Sequence, residues 1–304
     1  MMQILTSFPD TVEKFTARFP DEEACIAFLY HVRFPDGFSC PYCRFKIQLK
    51  EIKKSIPCPR CGNTTSLTSG TIMHGTKKPL CQWLLAIWWL CTHESGATAK
   101  ELQRVLKLSS YQTAWAWLQK FRMAMGAADT SLCKGVVEIG CSFVHPAREK
   151  KDKAMVLGAA EVIIPAGITG RVRMASFTHC TSDNINHFLV TAVKPGSTLI
   201  TSNEEHFQTV AQNDYTHVIE SANRETERVL DLIAGFEIWL NTLHRGGVAV
   251  KHLQLYLDEF CFRNNASMLA DRPAMFMALL RGVMAKKPTP YKQLVSANAR
   301  EQRS

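Results

Sequence analysis

Four cysteines in two short pairs, Cys40-Pro-Tyr-Cys43 and Cys58-Pro-Arg-Cys61, are the residues whose type and spacing most directly imply chemistry. Each Cys-x-x-Cys loop turns both of its sulfurs towards one point, and the 14 residues between the pairs leave enough chain for the loops to meet. Four converging thiolates make a tetrahedral seat suited to structural Zn²⁺; a redox pair or an iron–sulfur cluster are the alternatives. Small units of this kind often fold only with their metal, at a gain on the order of 10 kcal/mol. Around the pairs stand Lys46, Lys50, Lys53 and Lys54. They are placed either to face DNA phosphates or simply to solvate a ribbon too small to hide them. A further thiol, Cys141, lies beside Ser142 with His145 nearby, but no fixed spacing makes a nucleophile and base of them.

Composition bounds the rest. The chain has 304 residues, 46% hydrophobic and 21% charged, enough for two or three packed units and too apolar for disorder throughout. Lys and Arg exceed Asp and Glu by nine, which favours a polyanionic partner such as double-stranded DNA, although a merely basic soluble enzyme has the same balance. Eleven cysteines, four paired at ligand spacing and seven scattered, fit a reducing compartment better than a disulfide framework, so a cytoplasmic location is expected. The start, MMQILTSFPD, has no basic stretch leading into an apolar core and indicates no signal peptide. The most apolar run, Leu80 to Cys91, has 12 residues, short of the roughly 18 to 20 that span a bilayer. It predicts a buried helix.

The elements that must position these residues follow from periodicity. Asp21 to Val32 predicts an amphipathic helix whose face is Ala24, Phe28, Leu29 and Val32, and Pro35-Asp36-Gly37 a turn into the first cysteine pair. Residues 79–125 read as helical. After a Ser95-Gly96 break, one helix shows Leu102, Val105 and Leu106 on a face, and a second, capped by Ser109 or Ser110, shows Ala114, Trp117, Leu118 and Phe121. This is helix-turn-helix spacing, with Tyr111, Gln112 and Thr113 opening the candidate DNA-reading helix; many helical hairpins share it. Beyond 129, strand-like runs at 136–139, 154–164 and 171–177 precede a helix at 184–193 and strands at 198–201 and 217–219. Helices at 225–243 and 251–262 follow. That order is compatible with an RNase H-like α/β domain and with other mixed folds. The chain thus reads as multidomain α+β: an N-terminal helix and zinc ribbon at 1–70, a helix-turn-helix-like segment at 71–128, and an α/β domain at 129–304.

Several blocks, in order, resemble one family. They are residues 21–43, the second cysteine loop, 67–90 (LTSGTIMHGTKKPLCQWLLAIWWL), 102–125 and 246–265 (GGVAVKHLQLYLDEFCFRNN). Together they make the chain, over roughly residues 20 to 265, similar to the zinc-ribbon insertion-sequence transposases of the fifteen-ninety-five family, whose catalytic domain is called ISXO-like. The resemblance implies a zinc ribbon, a helical DNA-binding segment and an RNase H-like domain of the DDE type that moves a DNA element with divalent metal.

Phosphodiester cleavage of this type needs acidic oxygens to bridge two hard cations, Mg²⁺ or Mn²⁺. In the family the opening strand carries V-E-[IV]-D-E; here VVEIGCSFV puts Gly140 and Cys141 where Asp and Glu stand. The second acid follows a strand like GSTLIT, and here Thr201 is followed by Ser202 and Asn203. The third falls at Asp231, and a following helical lysine at Glu237. Glycine cannot ligate and a neutral serine ligates weakly, so the expectation is that no catalytic Mg²⁺ or Mn²⁺ is bound. A substitute triad of Glu138, Glu204 and Asp231 is the alternative. His244 and His252 lie in a family-like block and are expected to serve packing or hydrogen bonding. The leading reading is a transposase-derived zinc-dependent DNA-binding protein without cutting activity. An active transposase with a relocated triad, and an assembly protein that partners a second copy or a related transposase, are the alternatives.

Overall fold

The computed structural model describes residues 8–47, 51–93, 95–146, 153–202, 207, 214–220, 227–244, 247–267 and 272–296. The chain divides into two units, one of residues 1–128 with 271–294 and one of residues 129–270 with 295–304.

The first unit opens with α1 (Val12–Arg18) and α2 (Glu22–Arg33). Each begins on an oxygen side chain that accepts an otherwise orphaned amide: Thr11 takes that of Lys14, and Asp21 that of Ala24. Two small antiparallel hairpins follow, β1 (Phe38–Ser39) with β2 (Lys46–Ile47) and β3 (Ser55–Pro57) with β4 (Thr64–Ser66). Next comes α3 (Leu80–Thr92), the apolar run, buried along nearly its whole length as expected. Its N-cap is Pro79, with no side-chain cap of its own. The Glu22 carboxylate of α2 takes its place, accepting the amides of Leu80 (2.8 Å) and Cys81 (3.2 Å) where the helix dipole favours negative charge.

That docking corrects one expectation. Cys25 and Cys81, 56 residues apart, form a disulfide with their Cα atoms 5.4 Å apart, where the sequence reading had scattered reduced thiols. The buried stripe of α2 therefore runs through Cys25 and Leu29, while Ala24, Phe28 and Val32 stay partly exposed. No local spacing signals the pairing, because it depends on α2 lying against α3.

Helix α4 (Ala99–Val105) starts on a reciprocal cap between Thr98 and Glu101. Helix α5 (Tyr111–Ala128) starts on Ser110, whose hydroxyl accepts the Thr113 amide. Leu102 and Leu106 are buried, as are Ala114, Trp117, Leu118 and Phe121. Val105 departs from expectation at 37% exposure, since the buried face of α4 runs through Ala99, Leu102 and the C-cap Leu106. Trp117 stacks on Trp83 of α3 with ring centroids 3.9 Å apart.

The second unit is built on a five-stranded sheet. Its strands are β5 (Val136–Val144), β6 (Ala154–Ile163), β7 (Ile168–Phe177), β8 (Thr198–Ser202) and β9 (Thr216–Glu220), in the order β7-β6-β5-β8-β9. β5, β6 and β7 run antiparallel, and β8 and β9 run parallel to β5. Helix α6 (Ser182–Ala192) covers one face, where Val137, Ile139, Leu157 and Leu199 meet Ile185, Phe188 and Leu189. Helix α7 (Glu227–Leu243) packs against β5 and β6, and α8 (Leu253–Ser267) lies along β7. An edge strand leaves backbone groups unpaired, and here two amide side chains of α8 take them. Asn265 accepts the Val172 amide (2.7 Å) and donates to the Val172 carbonyl, while Gln254 accepts the Ser176 amide (3.0 Å).

The chain then re-enters the first unit as α9 (Arg272–Ala285), where the sequence reading had carried its last domain unbroken to 304; a short α10 (Tyr291–Ser296) follows. α9 buries Phe276, Leu279, Leu280 and Val283. Gly282 permits its close crossing of α5: a Cβ there would stand 2.1 Å from the Ala124 carbonyl oxygen.

Candidate metal centre and the central-strand site

The two cysteine loops are built alike. In the first, the Cys40 amide donates to the Phe45 carbonyl (2.9 Å) and the Arg44 amide to the Cys40 carbonyl (2.8 Å). In the second, the Cys58 amide donates to Asn63 (2.8 Å) and the Gly62 amide to Cys58 (3.0 Å). Both loops need a left-handed residue directly after the second cysteine, supplied by Arg44 (φ 59°) and Gly62 (φ 72°). The result is four Sγ atoms within 4.8 Å of one another, with Cys40 3.7 Å from Cys61 and Cys43 3.6 Å from Cys58. Such a group can hold a structural metal. Four sulfurs this close cannot all ionise without a cation between them, and Cys61 ionises first. The Asn63 side-chain amide, 3.5 Å from its sulfur, and the Asn63 backbone amide bring its thiol down to about 6. The Phe45 amide draws Cys43 the same way, but burial and the three neighbouring thiols outweigh it and push Cys43 up to about 12.

Lys46 is exposed on β2. Lys53 is exposed but shares its charge with Glu51 at 2.8 Å, and Lys54 is half-buried. Lys50 lies outside the described residues. At the start of α5, Tyr111 (47% exposed) and Gln112 project to solvent, whereas Thr113 is half-buried with its hydroxyl 2.8 Å from that of Ser110.

In the second unit, β5 and β8 are adjacent and parallel, with Ile139 opposite Thr201. Gly140 and Ser202 therefore come at neighbouring positions. Because Val137, Ile139 and Leu199 face α6, alternation puts Glu138, Gly140 and Ser202 on the opposite face, where α7 covers β5 and β6. There the sheet is flat and small: Gly140 pairs with Gly158 of β6. The side chain of Val229 fills the space, so that a Cβ at 140 would lie 3.3 Å from its Cγ1 and one at 158 only 2.6 Å. Glu138 is fully buried and paired with Arg228, whose other nitrogen donates to the Gly167 carbonyl (2.9 Å).

Asp231 is not brought to this place. Residues 229, 230 and 233 face Gly140 and Gly158. At about 3.6 residues per turn, Asp231 falls on the far side of α7, where it is exposed. Glu204 and Asn203 lie outside the described residues. Among the described residues, the ribbon cysteines are the one group of three or more Cys, His, Asp or Glu ligands within reach of each other.

The remaining sequence candidates have structural partners. His145 lies 3.4 Å from Glu237, whose carboxylate also accepts the His145 amide, so that Glu237 closes the end of β5. Cys141 approaches Cys180, with their sulfurs 3.5 Å apart. His244 sits edge-on to Tyr256 with centroids 4.9 Å apart, and His252 is buried. Sequence reasoning missed Arg228 and Val229, the residues that occupy the α7 side of the sheet; the adjacent small residues Gly140 and Gly158 were the available signal. No described helix is long and apolar enough to cross a membrane.

No curated protein matches the chain. A family model does: residues 139–265 match the ISXO2-like transposase domain, a span that runs from the strand holding Gly140 to the end of the α8 amide hooks. Residues 139–265, from within β5 to within α8, are accordingly similar to the ISXO2-like transposase domain.

Proposed function

We propose that this chain is a transposase-derived, zinc-dependent protein that binds double-stranded DNA without cutting or joining it. The observation that carries the reading is the packing over position 140. The α7 face of the central strands holds glycines under Val229, a neutral Ser202, and a buried Glu138 already neutralised by Arg228. Two hard cations need several carboxylate oxygens converging on them. The described residues do not fit them, and the same pairing of Glu138 argues against its serving a relocated triad. The strand order 3-2-1-4-5, with three antiparallel strands and two parallel ones, supports an RNase H-like fold for the second unit.

Binding rests on the first unit. Cys40, Cys43, Cys58 and Cys61 would hold structural Zn²⁺, which suits four thiolates and would lock the two loops together. The exposed Tyr111 and Gln112 at the start of α5 would read base edges, and Lys46 would contact phosphate. The full-length protein loaded with zinc should bind element-end duplex with an affinity that falls steeply with salt. Tyr111→Ala or Gln112→Ala should erode sequence preference more than Lys53→Ala does. Failure to bind duplex at low salt would sink the DNA-binding reading, and strand nicking or joining in Mn²⁺ would sink the inactive one.

A further inference from the structure

Five described cysteines belong neither to the ribbon nor to the disulfide: Cys91, Cys133, Cys141, Cys180 and Cys261. Three of these are buried. Burial pushes the thiols of Cys133 and Cys261 up to about 12, which keeps them protonated and inert. The two that reach solvent, Cys141 on β5 and Cys180 just before the N-cap of α6, stand with their sulfurs 3.5 Å apart although 39 residues separate them. The accessible thiols of this set are thus also the adjacent ones. Both pack at the margin of the core beneath α6, so the strand and the loop that carry them are held by that core rather than by each other.

We infer that Cys141 and Cys180 form a redox-active dithiol that a low-molecular-weight disulfide converts to an intramolecular disulfide. A bond requires the sulfurs to close from 3.5 Å to about 2.05 Å. In the first step one thiolate attacks the small disulfide, forming a mixed disulfide and releasing one small thiol. In the second, the neighbouring thiolate attacks the protein-bound sulfur and releases the other. The protein loses two protons and two electrons, and the small disulfide gains both as two thiols. The bond would tie β5, one residue past Gly140, to the entrance of α6, on the sheet face opposite Gly140.

The test treats full-length, zinc-loaded protein with oxidised glutathione, blocks remaining thiols by alkylation and maps peptides without reduction. The expected result is a Cys141–Cys180 linked peptide, two fewer alkylated thiols, and a rise in Tm that dithiothreitol reverses. In Cys180→Ser, Cys141 should instead stop as a glutathione adduct. The inference is overturned if wild-type protein yields separate adducts on Cys141 and Cys180, or both alkylated and unlinked. Cys141→Ala, with Cys180 then holding the adduct, gives the same reading should Cys180→Ser fold poorly.

Discussion

The cysteine ribbon and the central strands of the sheet both assemble side chains from distant parts of the chain, but by different means. In the ribbon, each loop carries two ligands three residues apart, and its own backbone hydrogen bonds aim them. In the sheet, positions 140, 202 and 231 come from two strands and a helix, and whether they meet depends on register and on which side of α7 faces inward. A local device survives wherever its few residues survive. A non-local one depends on every strand position and on the helix packed over it; here Val229 fills the space over Gly140 and Gly158.

The largest effect that would sharpen this contrast is metal removal. A strong chelator, or Cys43→Ser, should abolish zinc stoichiometry and unfold the ribbon, forfeiting on the order of 10 kcal/mol of coupled folding energy. The sheet unit should keep its structure, readable by hydrogen exchange. Acid should mimic the chelator. The Cys61 thiol sits at about 6 and that of Cys43 at about 12, so metal displaces the Cys43 proton already at neutral pH, and zinc affinity should fall more steeply once pH drops through about 6 and Cys61 also takes up a proton. Retention of zinc in the Cys43→Ser variant would break the comparison.

Next in size is Arg228→Met, which removes the cationic partner of a buried carboxylate. Truncating one partner of a buried pair costs roughly 3 to 5 kcal/mol, and the partial exposure of the Arg228 side chain places the expected loss at the lower end. Chemical denaturation would measure it; no loss of stability would mean that the pair does not hold α7 down. A smaller effect is expected from Gly140→Asp. The new side chain must displace Val229, at about 1 to 3 kcal/mol. Val229→Ala in the same chain should recover part of that cost, and calorimetry should still detect no Mn²⁺ binding with Ser202 unchanged. Binding in the single variant would mean that the seat persists beneath the packing. Smallest is Ser110→Ala, about 1 kcal/mol from the lost cap of α5, seen as a modest fall in Tm.

Much of the secondary structure was legible because its signals are local. The run 80–91 is apolar but for Gln82 and is the buried α3; Ser110 and the stripe 114, 117, 118 and 121 mark α5. The order of strands and helices from 136 to 243 also followed from periodicity. Helix α9 lies beyond the elements expected from periodicity, and the need for glycine at 282 shows only where α5 presses against it. The hooking of β7 by Gln254 and Asn265 was equally hidden, since an amide on a polar helix face says nothing of an edge strand beside it.

By itself the sequence determined the cysteine seat, since two tight loops and a left-handed residue in each suffice to converge four sulfurs, and it determined the absence of acids at 140 and 202. The tertiary structure alone decided what packs against those positions. Only with β5, β6 and α7 packed together do Val229, Arg228 and Glu138 meet, and only with α2 on α3, or β5 beside the entrance of α6, do cysteines 25 and 81, or 141 and 180, become neighbours. Such encounters join residues tens of positions apart, and register and helix orientation fix them rather than any spacing along the chain.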